Sequence, residues 1–87
     1  MFNHLGALEG QLVSFAPNMV YMIYIHDAND EIVATRRADS TGGFVFNGIK
    51  YGDYSLCVVN SKGQVAGRMN IKIDRAFKTI KITPESM

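Results

Sequence analysis

Seven short runs rich in β-branched and aromatic residues, each closed by Gly, Asn, Asp or Pro, constrain this chain more than any other feature. No window of a dozen residues repeats apolar side chains at helical spacing with caps at both ends, so helices are not expected. The runs predict strands near 8–15, 19–27, 31–38, 43–47, 53–60, 65–73 and 77–83. Between them, "APN" (16–18), "DANDE" (27–31), "DSTGG" (39–43) and "NSKGQ" (60–64) have turn chemistry: proline without an amide proton, Asx side chains that accept local amides, and glycine free for positive φ.

Period-two alternation assigns the faces. Phe44 and Phe46 share one, as do Tyr54, Leu56 and Val58, then Met69, Ile71 and Ile73, then Ile80 and Ile82; Leu12 is the inward residue of the first strand. Two sheets closing over these side chains make a sandwich core about 10 Å thick. At 87 residues and 47% hydrophobic content, one domain with a packed core is expected: residues 1–87, a core over about 9–83, and tails at 1–7 and 84–87.

The glycine-rich stretch "DSTGGFVFNGIKYGDYSL" (39–56) invites a phosphate-loop reading, but that chemistry needs a helix directly after the glycines and a Lys-Ser/Thr pair. Here Gly43 leads into the alternating "FVFN", so Gly42, Gly43, Gly48 and Gly52 are architectural. This stretch, with "EGQL" and "VYMIYIHD" before it, resembles the carboxypeptidase-regulatory-like domains of the transthyretin-like (prealbumin-like) β-sandwiches. The matching residues are Gly10 and Leu12 in the first strand, Asp39, Gly43, Phe44 and Phe46 in the middle, and Gly52, Tyr54 and Leu56 after it. One departure is the lead-in to the second strand, where the usual proline-x-x-glycine-alanine is reduced to "APNMVYM". The resemblance implies an all-β, seven-stranded antiparallel Greek-key sandwich of immunoglobulin/transthyretin-like type, and it implies no particular activity.

Catalytic carry-over from relatives fails on the residues. Transthyretin-like hydrolases end in Tyr-Arg-Gly-Ser, whereas this chain ends "ITPESM"; isopeptide-forming relatives need a lysine in the first strand and an asparagine in the last, and neither is present. His26, Asp27, Asp30 and Glu31 crowd one loop without a calcium or zinc ligand order, so they are a solvated hairpin tip, and His4 is an exposed tail residue. Cys57 has no base or electropositive setting in the nearby sequence. No enzyme activity, cofactor or metal is expected.

A net charge of +1 with no basic block, despite Arg36, Arg37 and Lys50, argues against nucleic acid, and "MVYMIYI" (19–25) is too short to span a bilayer. The amino-terminal segment lacks the features of a signal peptide and the single cysteine makes no internal disulfide, so cytoplasmic synthesis is expected, followed by incorporation into a virus particle where that applies. The remaining oddity is the second strand. Val20, Met22 and Tyr24 alternate with Tyr21, Ile23 and Ile25, so it is apolar on both faces where one is usually wet. Either Phe2, Leu5 or a loop shields its outer face, or Tyr21, Ile23 and Ile25 with Phe2 and Leu5 form an interface with copies of itself or a larger assembly, giving a homo-oligomer or a virion-bound protein. The expected function is a structural or interaction module, with a phage capsid-decoration or tail protein as the setting. A ligand- or carbohydrate-binding domain using loop-tip residues such as Tyr51 is the alternative.

Overall fold

The computed structural model describes residues 4–16 and 18–84. It contains seven strands, β1 (Leu5–Leu12), β2 (Tyr21–His26), β3 (Ile32–Arg37), β4 (Gly43–Lys50), β5 (Gly52–Asn60), β6 (Val65–Ile73) and β7 (Phe77–Ile82), and no helix among the described residues. They form a three-stranded sheet ordered β4-β1-β7 and a four-stranded sheet ordered β3-β2-β5-β6. Both contribute to a single core: Leu8, Leu12, Phe44 and Phe46 from one, and Tyr21, Ile23, Ile25, Leu56, Val58 and Ile73 from the other. All seven expected strands are present. β1 is displaced towards the amino terminus because Ser14, at φ 58°, takes a left-handed conformation that ends it before Phe15. Leu8 thereby joins Leu12 as a second fully buried residue of that strand.

One pairing departs from the all-antiparallel expectation. β1 runs antiparallel to β4 but parallel to β7, with Ala7 opposite Phe77 and Leu12 opposite Ile82. Successive strands reverse direction, so the first and seventh run the same way. Once they are sheet neighbours they must pair in parallel.

A bulge in β4 sets its core contribution. Leu8 pairs with Phe46 and Gly6 with Ile49, so two steps on β1 match three on β4. The extra residue is accommodated at Gly48, whose φ is +70°. Without it, strict alternation would turn Ile49 outward; with it, Phe44, Phe46 and Ile49 are all buried.

Three of the connections use the same five-residue turn. At Asp27, Asp39 and Asn60 the side-chain Oδ1 accepts the backbone amides two and four residues on: Asn29 and Glu31 (2.9 and 3.0 Å), Thr41 and Gly43 (2.9 and 2.8 Å), Lys62 and Gln64 (2.9 and 3.1 Å). In each, the fourth residue has positive φ: Asp30, Gly42 and Gly63. The Asx acceptor therefore satisfies the amides that the turn withdraws from the ladders. Asp39 also accepts the Thr41 hydroxyl at 2.7 Å, and this bond, followed by those from the Gly43 and Thr41 amides, holds its carboxyl below the ordinary value of 3.8. A carboxyl that titrates lower in the folded state stabilises fully above its unfolded pKa, and the contribution is lost as pH falls through the folded value. Melting scans between pH 6 and 2 should thus show a larger acid loss of Tm in the wild type than in Asp39→Asn, which keeps an acceptor but no charge; equal slopes would refute the linkage.

Candidate interaction surface

The outer face of the four-stranded sheet is fixed by register. Ile23 and Ile25 are 0% exposed, so Met22, Tyr24 and His26 must point outward. Across the sheet, Met22 lies between Arg37 and Val59, Tyr24 between Thr35 and Cys57, and His26 between Ile32 and Ser55. Continuing to β6, Val59 pairs with Val65, Cys57 with Arg68, Ser55 with Asn70 and Asp53 with Lys72. The result is an apolar band of half-buried Met22, Tyr24 and Val59 on the two central strands, with the buried Cys57 among them. Charges surround it: Arg37 on β3, Arg68 and Lys72 on β6, and Asp53 at the start of β5 opposite Lys72. Each of these cations is exposed, and among the described residues none has a carboxylate within ion-pair distance. An apolar centre with a charged rim is the anatomy of a protein–protein contact.

This geometry corrects the expected interface. Tyr21, Ile23 and Ile25 are 5%, 0% and 0% exposed and belong to the core, so they offer no surface to a partner. Tyr21 sits at the end of that core, its ring edge-on to Phe15 and its hydroxyl accepting the Ala16 amide at 3.2 Å. Sequence alternation separated the two faces correctly but carried no sign saying which was inner. Leu5 is 49% exposed but lies on β1 opposite Lys50, in the other sheet. Phe2 lies outside the described residues. The motif residues are distributed as architecture: Leu12, Phe44, Phe46 and Leu56 in the core, Gly10 beneath the Phe44 ring, Asp39 and Gly43 in a turn, and Gly52 and Tyr54 at the start of β5.

Cys57 faces outward yet is only 5% exposed, because register sets Tyr24 on one side of it and Arg68 on the other. Among the described residues no three His, Cys, Asp or Glu side chains converge as a metal site, and the "HDANDE" hairpin is organised by the Asp27 turn instead. At that end of the sandwich an open cleft is lined by Asp27, Asp53, Tyr54, Ser55, Asn70 and Lys72. The Tyr54 hydroxyl donates to the Lys50 carbonyl at 2.6 Å, and burial, then the nearby Asp27 charge, raises its pKa. Tyr51 remains partly exposed, its ring tilted against His4 at 5.3 Å between centroids.

No protein-family model matches this chain, and no curated protein matches it by sequence. Among solved structures it is similar to BcpA, the major pilin subunit of Bacillus cereus, with a TM-score of 0.70 at 18% sequence identity. A structure of a variant of the same pilin gives a TM-score of 0.66, also at 18% identity. Each likeness covers 93% of this chain but only 30% of the pilin. The likeness is one of fold: this chain resembles a β-sandwich portion of that longer protein.

Proposed function

We propose that this chain is a non-enzymatic structural module that docks onto a larger protein assembly or onto copies of itself through the outer face of the four-stranded sheet. The observation that carries this reading is the apolar band of Met22, Tyr24 and Val59 on its two central strands, framed by cations outside ion-pair distance of any carboxylate among the described residues. Rim cations contribute little to affinity but set the rate and the choice of partner, whereas the desolvated centre supplies the free energy. Likeness to a protein described as a major pilin subunit supports an assembly role. Within this reading, the fold is a Greek-key sandwich of the transthyretin-like, carboxypeptidase-regulatory-like kind. The setting we favour is a phage particle, with the protein made in the cytoplasm and carried on the capsid or tail; the sequence resemblance alone supports that setting.

Absolute mass by light scattering over a concentration series tests the face. Wild type should form an oligomer that Tyr24→Asp/Val59→Asp disrupts while leaving circular dichroism unchanged. A wild type that is monomeric at every concentration would remove copies of itself as the occupant of this face. A second reading is favoured by one observation: the end cleft combines the Tyr54 ring with carboxylates and the Asn70 amide, the groups that recognise polyhydroxylated ligands. Under that reading carbohydrate soaks or titrations would shift Tyr54 and Asn70 signals and leave Tyr24 unmoved.

A further inference from the structure

The first and last strands are sheet neighbours, and their pairing decides how the fold responds to a pull on the chain. β1 and β7 run parallel and in register from Ala7 opposite Phe77 to Leu12 opposite Ile82. The chain therefore enters the sandwich beside the start of β7 and leaves it beside the end of β1. Those points lie at opposite ends of a ladder about 20 Å long at the usual rise per residue. The ladder is closed at both ends: the Ala7 amide donates to the Ala76 carbonyl and the Val13 amide to the Ile82 carbonyl, each at 2.9 Å. In this register the amides of Lys78, Ile80 and Ile82 turn towards β1, and those of Phe77, Thr79 and Lys81 face the free edge.

Tension between the two ends pulls β1 by its start and β7 by its finish. The strands then part only by sliding past each other, which loads every bond of the ladder at once. Strands peeled from one end lose their bonds singly, and a single bond contributes only about 0.5–1.5 kcal/mol net. β1 is the better anchored of the two, because β4 holds its other side from Leu5 to Gln11. β7 is held by more than the ladder. Ile80 and Ile82 pack against the core, and Lys78 Nζ donates to the Lys72 carbonyl of β6 at 2.7 Å, tying the two sheets across their seam. We infer that β1 and β7 form a shear clamp, through which this domain bears tension along its chain. β2, β3, β5 and β6 belong to the other sheet and lie off that load path, so the outer face remains free to dock under load. The clamp goes beyond docking and does not depend on it.

Single-molecule pulling of the full chain in two directions tests the clamp. Handles at His4→Cys and Thr83→Cys load the ladder in shear. Handles at His4→Cys and Arg75→Cys enter and leave at one end of the sandwich, since the Arg75 carbonyl lies against Gly6, and they peel strands bond by bond. All three positions are exposed, and Cys57→Ala in both proteins leaves no other thiol. The shear direction should need about threefold more force or higher, because forced unfolding is governed by the unfolding rate and hence by the barrier that the pull must cross. Lys78→Pro removes a ladder amide and should lower the shear force by about half, whereas Thr79→Pro, whose amide faces the free edge, should leave it nearly unchanged. Lys78→Ala loses only the tether to Lys72 and isolates that share. Circular dichroism and the urea midpoint of each variant report whether the fold is intact, and the comparison of directions needs neither proline. Equal forces in the two directions, or a shear force in folded Lys78→Pro equal to that of Thr79→Pro, would overturn the clamp.

Discussion

Ile23→Asp should unfold the protein at room temperature, whereas Tyr24→Asp, one residue along, should leave it folded. The two positions share a strand and differ only in the side of the sheet they face. Ile23 is fully buried between the sheets, among side chains of the core, and no described residue provides a buried cation to receive a carboxylate. Losing the isoleucine contacts costs about 2–5 kcal/mol, and an unpaired buried charge adds several more or drives the group to protonate. A domain of this size has a total stability on the order of 5–10 kcal/mol, so the sum exhausts it. Tyr24 stands on the outer face between Thr35 and Cys57, where a carboxylate remains hydrated and faces Arg68 one strand beyond. A change within about 1 kcal/mol is expected there. Far-UV circular dichroism and urea titration of the two variants distinguish the cases directly. A folded Ile23→Asp protein would mean that the assigned inner face of β2 is wrong.

That contrast shows where the sequence was sufficient and where it stopped. Alternation located every strand because turn-formers bounded each run, and the three Asx turns were already visible as "DANDE", "DSTGG" and "NSKGQ". Their common hydrogen-bond pattern was not visible, because Asp30 occupies the left-handed position that glycine holds in the other two. The faces of β2 could not be told apart because both are apolar; only the strands on either side, with Arg37 and Cys57 in register, decide which is outer. The cationic rim was hidden for a related reason. Arg37, Arg68 and Lys72 are dispersed through 36 positions of sequence (37 to 72), and the sheet brings them to one face through pairings that no local pattern encodes. The Gly48 bulge was legible only as a glycine, not as the device that restores Ile49 to the core.

Gly10→Ala should destabilise the fold despite adding only a methyl group, and Gly10→Val should do so more strongly. Gly10 pairs with Phe44 across the β1–β4 ladder, and the distal end of the Phe44 ring lies over its Cα. A Cβ there would stand 2.0 and 2.2 Å from two ring carbons, far inside any contact distance. The ring cannot simply swing away: it is buried and packs edge-on to Phe46, with centroids 5.9 Å apart. Replacing glycine within a strand would otherwise gain about 0.5–1 kcal/mol from chain entropy, but overpacking of a filled core costs about 1–3 kcal/mol, more for the branched valine. The overpacking term wins. Phe44→Leu alone leaves a gap costing on the order of 1–2 kcal/mol, since a ring is traded for a smaller side chain. In the double variant each substitution relieves the other, so its loss should fall short of the summed single losses by about 1 kcal/mol or more. Urea unfolding with unchanged m-values measures all three. Strict additivity, or a neutral Gly10→Ala, would show that the ring does not rest on Gly10, and the close approach that joins β1 to β4 would have to be redrawn.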